Sequence, residues 1–195
     1  KRVENTLKKY KIDYELADRD RLNERQFRRK DLIIPVGGDG TFLRAAHFVK
    51  NQIMLGVNAD IKNKEGFFMK SNKNDFESKL KEVIKNKFKI KEFPRLEARI
   101  NNKKVDTIAL NEFFIGQSKS YHSARYIIIL DGKKERQKSS GVLVTTPAGS
   151  YAWSKSSYNK ILQLDSKDFQ FVVREPYEGK VFKNYKLKQG ILNKN

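Results

Sequence analysis

The stretch from Leu32 to Ala46, LIIPVGGDGTFLRAA, decides the fold of the first part of the chain. Its opening apolar residues predict a buried parallel strand. Since proline has no backbone N–H, Pro35 must lie at the end of that strand or beside an unpaired position. Apolar residues then recur at helical spacing and predict a helix from Thr41 to about Lys50. The run IMLGV, residues 53–57, predicts a second strand. Strand, glycine turn, helix and strand together indicate a βαβ unit with a parallel sheet.

The flanking segments extend this α/β part in both directions. Residues 3–10 carry apolar residues at helical spacing and predict an opening helix. Residues 12–16 alternate apolar and polar residues, as a short strand does, and a charged connection with a turn of helix at residues 22–27 follows. Phe76, Leu80, Val83 and Ile84 predict a helix over about residues 74–86.

From about residue 90 the pattern becomes predominantly antiparallel β. Apolar strand-like runs are separated by turn residues, among them Asn101-Asn102 and Asp131-Gly132. We therefore expect an N-terminal α/β domain over residues 1–88 and a β-rich, sandwich-like C-terminal domain over residues 89–195. Binding sites commonly form in the cleft between two such units.

The composition leaves several classes of partner open. The formal net charge is +19, with 42 Lys and Arg against 23 Asp and Glu. Such a charge suits nucleic acid, an acidic membrane or a phosphorylated small molecule, and it also suits a solvated lysine-rich surface. There is no cysteine, so disulfides, zinc–thiolate sites and cysteine nucleophiles are excluded. No apolar run approaches the roughly 20 residues that span a bilayer, and we expect a soluble intracellular protein.

The glycine turn Gly37-Gly38-Asp39-Gly40-Thr41 has the features of an anion site. Glycines let phosphate oxygens approach backbone N–H groups, and the following helix points its positive end at the same place. A carboxylate there is repelled by phosphate unless it holds a bridging metal ion or accepts a proton from an attacking hydroxyl. The alternative is that Asp39 caps the helix.

The motif GGDGTFL resembles the signature shared by NAD kinases, diacylglycerol and sphingosine kinases and, more distantly, phosphofructokinases. Two later stretches resemble NAD kinases in particular. In ALNEFFIG, Asn111 and Glu112 interrupt an apolar strand, where NAD kinases carry an Asn-Glu or Asn-Asp pair. An amide beside a carboxylate suits the vicinal hydroxyls of a ribose, although both could also face water at a sheet edge. The second stretch, TTPAGSYAW, matches the turn that NAD kinases have and lipid kinases lack.

The resemblance covers roughly Leu32 to Tyr177 and implies a role for each matching residue. Asp39 would be the general base, and Trp153 would stack on a base or pack beside the cleft, unless it is a core tryptophan. GVNADIKNKEGFF resembles the segment in which Gly66 and Phe67 close over the substrate. The nucleotide-binding residues implied are Gly37, Gly38, Gly40, Thr41, Asn58, Phe67, Asn111, Glu112, Thr146, Gly149, Ser150, Tyr151, Ala152 and Trp153.

The chain also departs from the family pattern. It has Ser139-Ser140-Gly141 where most members have Gly-Asp-Gly, so an acidic contact near the nicotinamide end is missing, and Ala148 replaces a threonine. FVVREPY and KSSG are most similar to the divergent branch of the mitochondrial NAD kinases. The usual first strand and last strands are absent, so we expect the C-terminal domain to be a minimal or incomplete form.

The reaction implied is transfer of the γ-phosphoryl group of ATP to the 2′-hydroxyl of the adenosine ribose of NAD. Mg²⁺ would be held by phosphate and water rather than by protein residues. Arg44, Arg125 and Lys138 are candidate phosphate contacts. The resemblance further implies a homodimer or homotetramer, in the cytoplasm or the mitochondrial matrix, with no membrane or nucleic-acid partner. The alternatives are a lipid kinase, a basic nucleic-acid-binding protein and a non-catalytic NAD-binding protein.

Overall fold

A computed structural model describes residues 1–157 and 159–193. The chain forms two compact units, Lys1–Lys91 and Glu92–Asn195. The helices and strands of the first are α1 (Arg2–Lys9), β1 (Leu32–Ile33), β2 (Val36–Gly37), α2 (Asp39–Ala46), β3 (Ile53–Met54), β4 (Val57–Asn58), β5 (Ser71–Asn72) and α3 (Phe76–Ile84). Those of the second are β6 (Leu96–Ile100), β7 (Lys103–Ala109), β8 (Glu112–Gly116), β9 (Ala124–Leu130), β10 (Lys133–Ser139), β11 (Gly141–Thr145), α4 (Trp153–Ser156), β12 (Phe169–Arg174) and β13 (Gln189–Leu192).

The predicted βαβ unit with a parallel sheet is confirmed. β1 pairs in parallel with β3, and β2, β4 and β5 form a parallel three-stranded sheet in the order β2-β4-β5. Pro35 divides the predicted LIIPV strand into β1 and β2, as the missing N–H requires. The carbonyl of Pro35 still accepts a hydrogen bond from the N–H of Val57 at 2.8 Å, so the chain at Pro35 stays alongside the segment that contains β3 and β4.

The helices of this unit are where the apolar spacing predicts them, with different ends. α2 begins at Asp39, two residues before the predicted start, and ends at Ala46 rather than Lys50. Tight turns follow, in which Phe48 donates its N–H to the carbonyl of Ala45, and they keep Val49 buried. Apolar residues at helical spacing therefore continue beyond Ala46, which is why the predicted helix is longer than α2.

The predicted strand over residues 12–16 is wrong. This segment has no regular secondary structure. Ile12 and Tyr14 pack against the buried cluster of Leu7, Val57, Phe76 and Leu80, while Leu16 is exposed. The alternation of apolar and polar residues reflects which side chains reach the core. It does not require the segment to pair as a strand.

The strand pairs described in the second unit are antiparallel. β8, β11, β12 and β13 form a four-stranded sheet in the order β13-β12-β11-β8, and β9 pairs with β10. The predicted turns at Asn101-Asn102 and Asp131-Gly132 join hairpins and have positive φ at all four residues. Val142, Phe171 and Val173 of the large sheet form a core with side chains of β9, which gives the sandwich-like packing predicted.

Across both described ranges, the helices are too short and too polar to traverse a lipid bilayer.

Candidate active site

Asp39 is the first residue of α2, and its carboxylate reaches across to a neighbouring loop. Oδ2 accepts the backbone N–H of Phe67 at 3.0 Å, and Oδ1 accepts that of Phe68 at 2.8 Å. Gly38 is the N-cap of the helix, with no side-chain capping bond, so the capping alternative for Asp39 is wrong. Each carboxylate oxygen has two lone-pair sites and can accept a second hydrogen bond. The carboxylate is thus oriented from one side and half-buried, with acceptor capacity left over.

The loop that meets Asp39 is shaped by Asn58 and Gly66. Asn58 is buried and donates from Nδ2 to the carbonyl of Lys64 at 3.2 Å, while its Oδ1 accepts the N–H of Asp60 at 2.9 Å. Gly66 has φ +70°, and a Cβ there would lie 2.5 Å from Asn58 Nδ2. Asn58 therefore holds the loop through both polar atoms, and the glycine turns the chain so that the next N–H groups face Asp39.

The glycine turn itself lies between two cationic side chains. A Cβ on Gly38 would lie 2.8 Å from Cδ of Lys64, so this side chain packs directly on the glycine. At Gly40, the corresponding position is 3.9 Å from a guanidinium nitrogen of Arg19. The first N–H groups of a helix have no intrahelical acceptor. This end of α2 therefore combines free donors, a positive helix dipole and two cations, which suits a phosphate group.

The three cations suggested by sequence have different local surroundings. Arg44 faces the exposed Asp20 at 3.8 Å, and Arg125 is an exposed residue of β9. Lys138 of β10 lies with its Nζ 4.1 Å from the centre of the Tyr177 ring.

Asn111 and Glu112 stand where β8 begins, and each has a buried oxygen without a hydrogen-bond partner. These atoms are Asn111 Oδ1 and Glu112 Oε2. Burial raises the pKa of Glu112 to about 7. Buried polar groups in folded proteins are nearly always hydrogen-bonded, so two adjacent unpartnered acceptors indicate a missing donor. A ligand with paired hydroxyls supplies such donors.

The turn of residues 145–150 is fully buried, and its hydroxyl groups make hydrogen bonds within the protein. Thr146 donates from Oγ1 to the carbonyl of Leu110 at 2.6 Å and accepts the N–H of Gly149 at 3.0 Å. Ser150 donates to the carbonyl of Pro147 and accepts the N–H of Leu162. A Cβ on Gly149 would collide with the carbonyl oxygen of Asn111, which only glycine allows to come so close. In this conformation Thr146, Gly149 and Ser150 support the site without being open to a ligand.

The end of that stretch is open to solvent. Tyr151 and Trp153 are exposed and Ala152 is half-buried, so Trp153 is not a core residue. Its ring centre is 5.2 Å from that of Phe114. The guanidinium of Arg174 lies 4.7 Å from the same indole.

Sequence reasoning missed four residues that the structure brings to these places: Arg19, Lys64, Phe114 and Arg174. Lys64 and Phe114 stand inside motifs that the sequence singles out, but nothing in their spacing says which way their side chains point. Arg174 likewise stands inside the quoted stretch FVVREPY, and Arg19 belongs to the charged connection before β1, where no spacing marks it out.

Comparison with known proteins gives a consistent result. Residues 2–88 match the model of the ATP-NAD kinase N-terminal domain. A probable NADH kinase of Oryza sativa subsp. japonica is 29% identical over 168 residues, which are 75% of this chain and 52% of that protein. An NAD kinase of Sulfurisphaera tokodaii is 33% identical over 150 residues, which are 75% of this chain and 56% of that protein. The chain spans about half the length of the curated relatives it matches first.

Two solved structures share the fold. The crystal structure of an NAD kinase from Archaeoglobus fulgidus in complex with ATP superposes with a TM-score of 0.78 at 24% identity, covering 98% of this chain and 72% of that one. The structure of yeast NADH kinase complexed with NADH gives a TM-score of 0.72 at 25% identity, covering 88% and 50%.

Proposed function

The chain belongs to the NAD kinase family, and from that premise we propose that it transfers the γ-phosphoryl group of ATP to the 2′-hydroxyl of the adenosine ribose of NAD, forming NADP. The observation that carries the proposal is the Asp39 carboxylate, oriented by two backbone N–H groups at the start of α2. Neither alternative, a lipid kinase or a nucleic-acid-binding protein, is favoured by the relatives.

In this proposal Asp39 is the general base. A carboxylate is too weak a base to deprotonate a sugar hydroxyl in advance. The carboxylate therefore holds the 2′-hydroxyl and takes its proton late, as the oxygen–phosphorus bond forms. The N–H groups of Phe67 and Phe68 fix the direction from which the carboxylate meets the hydroxyl.

The phosphates of ATP would meet the glycine turn. Gly40 leaves room for phosphate oxygens beside Arg19, whereas the side chains of Thr41 and Lys64 fill the space beside Gly37 and Gly38 and so lie against the turn. Thr41 offers a hydroxyl in the first helical turn. Mg²⁺ would be held by the triphosphate and water rather than by protein residues, and it would offset part of the phosphate charge.

The dinucleotide would be held mainly by the second unit. Asn111 and Glu112 would accept hydrogen bonds from the vicinal hydroxyls of a ribose, which gives their two buried oxygens the partners they lack. Tyr151 and Ala152 would line the pocket, and the buried turn behind them would fix their backbone. We further propose that residues 1–88 take ATP and residues 89–195 take the dinucleotide, that the protein is a homodimer or homotetramer, and that it works in the cytoplasm or the mitochondrial matrix.

The test is a measurement of NADP formation by the 195-residue chain with ATP and Mg²⁺, offering NAD, NADH and a diacylglycerol as acceptors. Asp39→Asn should lower the rate with the dinucleotide by about 10²- to 10⁴-fold, because the proton acceptor is lost. The matched control is Asp75→Asn. Asp75 also accepts a backbone N–H, from Asn72 at 2.7 Å, and should affect stability alone.

Near wild-type turnover in Asp39→Asn would remove this carboxylate from the chemistry. Phosphorylation of the diacylglycerol alone would favour the lipid-kinase alternative. Dinucleotide binding without any phosphorylation would mean a non-catalytic NAD-binding protein.

A further inference from the structure

The outer side of the β9–β10 hairpin carries two isoleucines in solvent. In an antiparallel pair, residues directly opposite each other share a face, and so does every second residue of one strand. Ile127 lies opposite Arg136, and Ile129 lies opposite Lys134. The two isoleucines are 59% and 63% exposed, whereas Ile128 between them packs against the core of the large sheet. We call this outer side the hairpin face, and its six residues are Arg125, Ile127, Ile129, Lys134, Arg136 and Lys138.

The four cations of the hairpin face form no ion pair with any residue that the structure describes. The two strands carry one acidic residue, Glu135, and it lies on the opposite face. Its carboxylate accepts the backbone N–H groups of Lys186 and Leu187, at 2.7 and 3.1 Å. Glu178, in the loop after β12, is paired with Lys188. The described residues therefore leave the positive charge of this face unbalanced.

The loop after β12 adds apolar groups along the other edge of β10. The N–H of Tyr177 donates to the carbonyl of Lys138 at 2.8 Å, so the loop runs beside this strand. The ring of Tyr177 lies 4.1 Å from Nζ of Lys138, and that of Phe182 lies 5.5 Å from the Arg136 guanidinium. Val181, the neighbour of Phe182 in the chain, is 76% exposed. Two cations of β10 therefore stand between isoleucines on one side and aromatic rings on the other.

The charge and shape of this surface restrict what can cover it. A second copy of the same face would bring arginines and lysines against their counterparts, and like charges disfavour such a contact. Single-stranded nucleic acid has the complementary charge, but its bases stack on exposed aromatic rings. The most exposed apolar groups here are instead aliphatic, namely Ile127, Ile129 and Val181. A bilayer with anionic lipid offers phosphate groups to the cations and hydrocarbon to the aliphatic side chains.

We propose that the hairpin face docks on the surface of a bilayer that contains anionic lipid. Ile127 and Ile129 enter the boundary between head groups and hydrocarbon, and the four cations bind the lipid phosphate groups. The formal net charge of +19 adds attraction at longer range. A membrane contact differs from the expectation, implied by the family resemblance, of no membrane partner. It does not depend on the proposed kinase function.

The experiment is co-sedimentation of the 195-residue chain with lipid vesicles. The chain should bind vesicles made of equal parts of phosphatidylcholine and phosphatidylserine, and it should bind pure phosphatidylcholine weakly, since the cations need an anionic surface. Lys134→Gln with Arg136→Gln should weaken the binding by about 10- to 30-fold, because each cation near such a surface contributes roughly fivefold. The matched control, Arg99→Gln with Lys104→Gln, removes as much charge from the β6–β7 hairpin, where both side chains pair with Glu97, and should change little.

A second pair of variants tests the apolar part of the contact. Ile127→Ser with Ile129→Ser keeps the net charge and should still weaken the binding by about tenfold, because two exposed apolar side chains can no longer leave water. Ile90→Ser with Ile100→Ser is the control, since these isoleucines are 62% and 68% exposed outside the hairpin face. NADP formation without vesicles should be the same in all four variants as in the wild type.

Equal binding to both kinds of vesicle would overturn the proposal, as would a control variant that loses as much binding as its matched variant. A wild type that is dimeric without lipid and monomeric in Ile127→Ser with Ile129→Ser, by sedimentation velocity, would show that a second copy covers the face. Tighter binding to an oligothymidylate than to the mixed vesicles, lost in the same variants, would assign the face to nucleic acid. NADP formation by a chain that fails to bind vesicles would leave the kinase function intact.

Discussion

At the scale of single residues, Glu112 is a side chain whose protonation state depends strongly on its surroundings. It lies opposite Thr145 in the sheet, and one of its oxygens is buried with no partner. Burial disfavours the charged form and raises its pKa to about 7. The charged form of this carboxyl group therefore costs free energy, which a ligand that donates hydrogen bonds would offset.

That cost predicts how stability depends on pH. The unfolded chain releases the Glu112 proton near pH 4.5 and the folded chain near pH 7, so the free energy of unfolding falls between these values and the loss is complete above pH 7. Glu112→Gln should be more stable than wild type above pH 7, by on the order of 1 kcal/mol because water reaches part of the group, and equal to it below pH 4.5. Urea unfolding at pH 4 and pH 8 measures this, and a difference of the same size at both values would contradict it.

At the scale of elements, α1 and α3 are joined by a charged cluster centred on Glu77. Its carboxylate accepts hydrogen bonds from Nζ of Lys9 and from the hydroxyl of Tyr10, both at 2.8 Å, and lies 3.6 Å from Lys81. The Lys9 hydrogen bond, followed by that of Tyr10, lowers the pKa of Glu77 to about 2. The contact links the opening helix to the helix that follows the parallel sheet.

The cluster should stabilise the first unit only while Glu77 is charged. Its contribution is fully present above pH 4.5 and is lost as the pH falls towards 2. Glu77→Gln should lower the thermal midpoint at pH 7 and match wild type near pH 2. Glu82→Gln is the control, because the ion pair of Glu82 among the described residues is with Lys79 of the same helix, and its loss should change little. An equal effect of the two substitutions would show that the link between the helices adds nothing.

The elements also show how far sequence reasoning reaches. Strand–turn–helix order, the break at Pro35 and the two hairpin turns were predictable, because backbone chemistry and apolar spacing act locally. The false strand at residues 12–16 shows that alternation records burial and not pairing. The contact of Asp39 with Phe67 and Phe68 joins residues 28 and 29 positions apart, and no local pattern encodes it.

For the candidate site, the sequence predicted which types of residue are present. It did not predict which of their polar groups are hydrogen-bonded within the protein and which lack a partner. The GGDGT and Asn-Glu motifs named the segments in which Asp39, Asn111 and Glu112 lie. The hydroxyl groups of Thr146 and Ser150 are already hydrogen-bonded within the protein. Asn111 and Glu112 each keep an oxygen without a partner. Only the hydrogen bonds of the folded structure make this distinction. The position of Arg174 next to Trp153 is a tertiary contact, which the sequence did not predict.

At the scale of the whole molecule, the two units are joined by a lysine-rich segment. After the turn that ends α3, residues 87–95 have no regular secondary structure. Lys85, Lys87 and Lys89 are exposed there. Proteases cut where an exposed backbone can be drawn into their active site, which packed strands and helices resist. This segment should therefore be the first to be cleaved by trypsin.

Brief digestion of the folded chain should give two fragments that meet between Lys85 and Lys91, identified by intact mass. The double variant Lys87→Gln, Lys89→Gln should slow that first cut, because two of the accessible sites are gone. Lys133→Gln with Lys134→Gln removes two exposed lysines from the start of β10, where strand pairing already protects the backbone, and should leave the first cut unchanged. First cuts within the parallel sheet or the β-sandwich would contradict the division into two units at this segment, and with it the assignment of ATP and dinucleotide to separate parts of the chain.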